Sequence, residues 1–446
     1  MPMHRTTLVA LAAGMALAGH ARAERLGLDE ALAYAAARNP ELAAVHSQAE
    51  AAASARSAAA AGLLPQLNFG YSARYSDNPL DAFADKLNTR SVTAADFDPA
   101  RLNNPDSTTL HATELLAAWP LYTGGRTQAT IRESEHNEAA ARSGYSRARE
   151  LTAFRVRSAY FGAQAAAEGV HIAEDAVAAS RLHADTTARL LRERRIVPSD
   201  NLTADVNHAL WRSAREQAQT RATNALNQLK LAMGAPLDAD LEPLSWQDPA
   251  PGAAPEPVTV FEQRALANRS DLKAQQAQVA AARSRIEQAR AGLKPRFDLV
   301  ASESWYDDQP SLDNESTRLM GVFSMNLWSG GRDQHQIAAA ARLAEEQEKR
   351  LESLQQQARA EVRAAHQALI EARSRVEICA DNIGKARRTV ELVRGRYGEG
   401  RTILIDLLQA ERALVDARQE KLAASLNYLV AEAQLRLATG ETGTAQ

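Results

Sequence analysis

The residues that could do chemistry in this chain are present but not assembled. Ten histidines are scattered over 446 residues. None forms the His-x-x-x-His or His-Glu-x-x-His spacing that sets two imidazoles on one helix face for zinc. Cys379 is the single cysteine, which excludes an intrachain disulfide and a cysteine-based zinc cluster. Two Gly-Gly-Arg stretches, Gly124-Gly125-Arg126 and Gly330-Gly331-Arg332, lack the Gly-Lys-Ser/Thr ending of a phosphate loop. The charge runs at 192–195 and 345–349 read as solvated helix faces. The sequence therefore predicts no enzyme, no metal and no cofactor, and energy for any transport would come from a partner.

The Gly-Gly-Arg stretches matter for another reason. Each ends a strand-like run and begins a very long helix-like run, and they lie 206 positions apart. At the same shift Asp200 falls on Asp406 and Gly234 on Gly440. Upstream of the joints the shift becomes 230: Leu42 meets Leu272, Gly62 meets Gly292 and Pro65 meets Pro295. The chain is thus predicted to be one unit duplicated. The extra sequence in the first copy falls in residues 77–108, whose counterpart 307–316 is short.

Composition narrows the class. A net charge of −3 gives no strong pull toward nucleic acid. Aromatics at 5 % and abundant alanine suit closely packed helices better than thick globular cores. His4 and Arg5, the apolar run 8–18 and Ala21-Arg22-Ala23 form a secretory signal pattern. Residues 1–23 are expected to be removed and the chain exported. No apolar run is long enough for a transmembrane helix.

The predicted organisation is a first repeat at 24–234, a proline-rich connector at 235–257, a second repeat at 258–440 and a tail at 441–446. In the first repeat, 66–76 alternates strictly as a strand should, with Leu67, Phe69, Tyr71 and Tyr75 on one side and Gln66, Asn68, Ser72 and Arg74 on the other. Residues 77–108 hold Pro79, Pro99, Pro105 and many Asp and Asn, and read as a long exposed loop. A second strand at 109–119 precedes a helix at 126–194. Pro198 breaks that helix, and Ser199 or Asp200 can cap the next, 201–233. The second repeat gives strands at 296–306 and 318–328 and helices at 332–397 and 406–439.

The long helices carry a seven-residue seam, Val362, Leu369, Val376, Ile383, Val390 and Tyr397, with small residues three positions later. The shorter helices carry an alanine stripe, Ala410, Ala417, Ala424, Ala431 and Ala438. On the helices alone a soluble coiled coil fits as well as a membrane-associated one. The strands decide. Their length, about ten to twelve residues, suits a tilted crossing of a bilayer, and aromatics sit near their ends at Tyr71, Tyr75, Trp119, Tyr122, Trp305, Tyr306 and Trp328. Four strands cannot close a barrel, and an open sheet would leave edges unpaired in lipid. Several chains must then share one barrel. The alternative is a soluble sheet with one wet face.

Taken together, the chain resembles the TolC family of outer-membrane efflux proteins over nearly all of its exported part. The carriers are the duplication, Leu-Asp-Glu-Ala-Leu at 28–32 with Asn39-Pro40-Glu41-Leu42, the two Gly-Gly-Arg joints, and Arg396-Tyr397-x-x-Gly400 followed by Asp406-Leu407-Leu408-x-Ala410. The resemblance implies a mainly α protein with a small transmembrane β part. It implies a homotrimer with a shared 12-stranded β-barrel in outer-membrane lipid and a coiled-coil α-barrel crossing the periplasm. It also implies a periplasmic adaptor and an inner-membrane pump of RND or ABC type. Function would then be a passive exit duct gated at its periplasmic tip. The competing reading is a periplasmic coiled-coil adaptor, which would carry one helical hairpin rather than two.

The same resemblance assigns site residues. Asp406 matches the first acidic position of the entrance constriction, and Gln409 occupies the second. Tyr397 matches a tyrosine that holds the closed tip; its arginine partner falls on Thr402, with Arg401 one place earlier. The tip turns, with Val197, Pro198, Ser199, Gly400 and Thr402, would dock the adaptor. From the residues alone, Asp406 can equally be a helix N-cap and Tyr397 the last residue of the seam. At the joints, Gly124, Gly125, Gly330 and Gly331 would let the backbone turn from strand to helix. Arg126 and Arg332, unfavourable at a helix N-terminus, are each expected to meet a carboxylate or a lipid headgroup.

Overall fold

The duplication is explicit in the computed structural model, which describes residues 24–252 and 254–441. The expected signal segment 1–23, and the expected tail beyond its first residue, lie outside the described residues. The first copy runs β1 (Glu24–Leu26), α1 (Leu28–Arg38), α2 (Pro40–Ala61), β2 (Gln66–Ser76), α3 (Pro79–Asn88), a 3-10 turn (Ala94–Phe97), α4 (Pro99–Asn103), β3 (Thr108–Tyr122), α5 (Arg126–Arg192) and α6 (Pro198–Met233). After β4 (Leu241–Pro243) the second copy runs α7 (Val258–Asn268), α8 (Ser270–Ala291), β5 (Arg296–Asp307), β6 (Glu315–Ser324), α9 (Arg332–Gly398) and α10 (Leu404–Thr439). Helix lengths repeat copy for copy: α1 and α7 have 11 residues, α2 and α8 have 22, α5 and α9 have 67, α6 and α10 have 36.

Two compact units are formed, and each draws on both copies. One takes the chain up to Ala43, Arg149–Gln263 and the chain from Glu361; the other takes Ala44–Ala148 and Arg264–Ala360. In the first, helical unit most of the seam is buried as its spacing predicts: Val362, Ala365, Leu369, Ala372, Val376, Cys379 and Val390 are in the core, and Ile383 and Tyr397 are half-buried. Ala410, Ala424, Ala431 and Ala438 of the alanine stripe are buried as well. Small side chains there let neighbouring helix axes approach. A second core gathers Ala31 and Ala35 of α1, Val156, Tyr160 and Ala163 of α5, and Leu229 and Met233 of α6.

The connector is more structured than its prolines suggest. Its β4 pairs in parallel with β1. Gln164 Nε2 donates to the Leu244 carbonyl at 2.8 Å, and Tyr160 donates its hydroxyl proton to the Leu26 carbonyl at 3.0 Å. Asp248 pairs with Lys421 of α10. The segment is a strap fixed to helices rather than a free linker.

The other unit holds the four-stranded sheet, ordered β2-β3-β5-β6 and antiparallel throughout. β3 and β5 join the two copies. β2 and β6 are left as edges. Three sequence expectations need correction here. Residues 77–108 are not a loop but a set of short helices. Pro79 and Pro99 sit at first helical positions behind Asn78 and Asp98, whose side chains accept from the amides of Leu80, Asp81 and Ala100. β3 continues through Pro120 to Tyr122, with an irregularity that tolerates the proline. β6 ends at Ser324, so Met325–Trp328, expected as strand, has no ladder partner within the chain.

Candidate functional site

The helix tips are built alike in the two copies. α5 ends at Arg192, and Arg194 takes a left-handed φ of 57° while the Arg195 amide closes back on the Leu190 carbonyl at 2.9 Å. α9 ends at Gly398, Gly400 takes φ 71°, and the Arg401 amide closes on the Arg396 carbonyl at 2.8 Å. These are equivalent repeat positions: glycine fills the left-handed site in one copy and arginine in the other. Only glycine does so without strain.

The next helices start earlier than the sequence suggests. Val197 and Ile403 are the N-cap residues, and neither supplies a side-chain cap. Pro198 is the first residue of α6, so Ser199 and Asp200 lie inside its first turn rather than capping it. Likewise Asp406 is not an N-cap. It lies in the first turn of α10, accepts a hydrogen bond from the Thr402 hydroxyl, and is solvent-exposed. Burial decides the helix start. Leu404, at 5 % exposure, must already be helical to reach the core formed by Ala184, Ala204 and Leu408. Asp200 and Asp406 are favourably placed at the positive ends of their helices.

Tyr397 packs against that same core, which draws on α5, α6 and α10. Burial, and then the nearby Asp200 carboxylate, raise its hydroxyl pKa above the ordinary value. Arg401 pairs with Glu399 at 3.1 Å, and no hydrogen bond or ring contact joins it to Tyr397 among the described residues. Val197, Pro198, Ser199 and Gly400 are exposed, and Thr402 is half-buried.

A polar link below the tip was not legible from the sequence. His183 of α5 donates from Nε2 to Glu411 of α10 at 2.8 Å, and Arg394 of α9 donates to the other carboxylate oxygen at 2.9 Å. Burial alone would raise the Glu411 pKa; the hydrogen bonds from His183 and Arg394 outweigh it and hold the carboxyl below its ordinary value. Glu411 thus contributes stability that is fully present above the ordinary carboxyl pKa and is lost as pH falls through the lower folded value. Glu411→Ala is expected to cost about 2 kcal/mol, through loss of the hydrogen bonds that its ionised carboxylate accepts from His183 and Arg394. Thermal unfolding in detergent should show the deficit at pH 7 and a smaller one at pH 3. Equal deficits would contradict this account.

The strand–helix joints differ in a telling way. Gly124 and Gly125 have φ 67° and 87°, Gly330 and Gly331 φ 66° and 84°. In the first joint the Thr123 hydroxyl accepts from the Thr127 amide at 3.1 Å. In the second, Ser329 and Asp333 take those two positions. Asp333 is buried and accepts from Ser329 and Asn326, both at 2.7 Å. Arg332 lies 3.9 Å from Asp333. Arg126 has no carboxylate partner among the described residues, which leaves a lipid headgroup as the partner expected for it. A Cβ on Gly124 would stand 2.8 Å from the Ala291 carbonyl oxygen, whereas nothing lies within 4 Å of one on Gly330.

Among the described residues no group of His, Cys, Asp and Glu could hold a metal, and no helix is long and apolar enough to cross a membrane. The sequence pattern of the family described as "Outer membrane efflux protein" matches residues 31–235 and 262–441. This chain belongs to that family. An outer membrane efflux protein is a channel of the outer membrane, and that membership sets aside the adaptor reading. Its family comprises channel and transport proteins rather than enzymes. The chain is 27 % identical over 430 residues to the alkaline protease secretion protein AprF of Pseudomonas aeruginosa, covering 93 % of this chain and 84 % of that one. It is 25 % identical over 446 residues to the proteases secretion protein PrtF of Dickeya chrysanthemi, covering 98 % and 92 %. In fold it is similar to the transmembrane channel protein CusC (TM-score 0.77, 20 % identity, 93 % of this chain and 92 % of that one). It is similar also to the outer-membrane channel OprN (TM-score 0.78, 19 % identity, 93 % and 90 %).

Proposed function

We propose that this chain is one protomer of a homotrimeric exit duct that passes a secreted polypeptide, delivered by an ABC-type inner-membrane pump through a periplasmic adaptor. The observation that carries the assembly is the sheet with two open edges. In a bilayer the free backbone groups of β2 and β6 must find partners, and three chains of four strands close a 12-stranded barrel. The cargo class rests on AprF and PrtF, both named for protease secretion and both matched over nearly this whole chain. Deleting the gene should remove a secreted polypeptide from the medium while leaving sensitivity to small toxic compounds unchanged. An intact secreted set with increased drug sensitivity would favour an efflux duct instead.

At the tip, exposed Asp406 repeated three times would form an acidic ring at the periplasmic entrance, with Tyr397 and its Asp200 neighbour holding the two hairpins together. Arg401, engaged with Glu399, is the weaker candidate for that latch. The exposed turns with Val197, Pro198, Ser199 and Gly400, and Thr402 beside them, are the adaptor's docking ground. In single-channel recording, Asp406→Ala should lose cation preference and weaken trivalent-cation block by about tenfold. Unchanged conductance, selectivity and block would move the constriction elsewhere.

A further inference from the structure

The first copy carries 24 residues between its strands that the second lacks, and they fold. Asp85 is buried at 3 % exposure and accepts from Arg74 of β2 and, at 2.8 Å, from Thr108 of β3. Asp81 pairs with Arg74 at 3.2 Å and accepts from Ser76 at 2.9 Å. Lys86 pairs with Asp96, which also accepts from the Thr93 amide and hydroxyl at 2.7 and 2.8 Å. The Lys86 bond, then those from Thr93, hold the Asp96 carboxyl far below the ordinary carboxylate range. Phe83 and Phe97 meet edge to face at 5.7 Å. At the far side Arg90 donates to the Glu315 carbonyl at 2.7 Å, on the first residue of β6. The segment therefore reaches from one edge strand of the sheet to the other, across the end away from the strand–helix joints.

Which face it covers follows from the register. Successive residues of a strand alternate between faces. Arg74 shares its face with Gln66, Asn68 and Ser72, and opposite it on β3 stands Leu110. The other face carries Leu67, Phe69, Tyr71 and Tyr75, all exposed. Leu110 is only 6 % exposed although it lies on the polar side.

We propose that residues 79–103 are an outer lid, laid over the polar face of the sheet and narrowing the exit of the duct. The proposal rests on the reading of this sheet as a pore wall, in which the apolar face meets lipid and the polar face lines the lumen. A trimer carries three such lids. Arg74 is the main clamp, since it holds both Asp81 and Asp85, and Arg90 is the tether at the far edge. The second hairpin, with only a short turn between Asp307 and Glu315, carries no equivalent.

The test is access from outside. Ser72→Cys places a thiol on the polar face two residues inward of the clamp; native Cys379 is buried in the helical unit. Intact cells are treated with a small impermeant maleimide or with a bulky polyethylene-glycol maleimide. With the lid present, the bulky reagent should react about tenfold more slowly than the small one. In an Arg74→Ala, Arg90→Ala chain, and in one whose residues 77–107 are replaced by the turn 308–314, that gap should close. The two variants guard against one of them failing to fold. Equal rates for both reagents with the lid intact overturn the proposal. Failure of even the small reagent to reach the thiol in the lidless chain would instead overturn the pore-wall reading, and the lid with it.

Discussion

A Gly124→Ala chain should be less stable by about 3 kcal/mol, whereas Gly330→Ala should cost a single protomer only about 1 kcal/mol. Both glycines hold the left-handed conformation, with φ 67° and 66°, so both substitutions carry the same backbone strain. What differs is the space. An added Cβ at Gly124 meets the Ala291 carbonyl oxygen at 2.8 Å and the Lys294 Cβ at 2.9 Å, at the turn between α8 and β5. The first contact is with backbone and cannot swing aside. At Gly330 nothing stands within 4 Å. Overpacking therefore adds about 1–3 kcal/mol at one joint and nothing inside the protomer at the other. Denaturant unfolding of the monomeric protein in detergent reads the difference directly. Equal losses would mean that the turn yields, and that the close approach is not what fixes glycine at 124.

Much of this architecture was legible because it was said twice. Shifts of 206 and 230 align the helix starts Arg126 with Arg332 and Leu28 with Val258. A long helix with a seven-residue seam leaves little freedom in where its buried face lies. The failures have physical causes. Residues 77–108 read as a loop because prolines and Asx residues are the shared vocabulary of loops and of helix caps. Only the short helices behind Asn78 and Asp98 tell the two apart, and they are too brief to show a period. Asp406 fits a cap as well as a constriction because Asp favours the N-cap position, but burial of Leu404 sets the helix start two residues earlier. The His183–Glu411–Arg394 link joins residues far apart in the chain, and no local pattern announces it. The parallel pairing of β1 with β4 escaped for the same reason.

The end of β6 is a different case, because its partner lies outside the protomer. Trp119, Pro120 and Tyr122 of β3 are held by Leu299, Asp298 and Phe297 of β5. Their counterparts in the second copy are Met325, Asn326 and Trp328, for which the chain has no strand to offer. If the contact between copy one and copy two recurs between protomers, those residues find it in β2 of the next chain. Moving the register by the same two shifts pairs Met325 with Phe69 and Trp328 with Leu67. The side chains so matched are exposed in one protomer: Trp328 at 85 %, Phe69 at 73 %, Leu67 at 68 %. Phe69→Cys with Met325→Cys should therefore give disulfide-linked dimers and trimers on non-reducing gels. Opposed residues of antiparallel strands have Cβ atoms about 4.5–5.5 Å apart, close to what a disulfide needs. Trp119→Cys with Leu299→Cys, the equivalent pair within the chain, shows whether the geometry permits the bond; it should form without any ladder. Phe69→Cys with Phe323→Cys is displaced by two residues and should stay reduced. The same mapping sends Ala291 and Lys294 to Ala61 and Leu64 of the next protomer. Gly330 then faces a neighbour after all, and Gly330→Ala should weaken the trimer while sparing the protomer. A ladder from the displaced pair, with none from Phe69 and Met325, would show that the seam between protomers does not copy the seam within one.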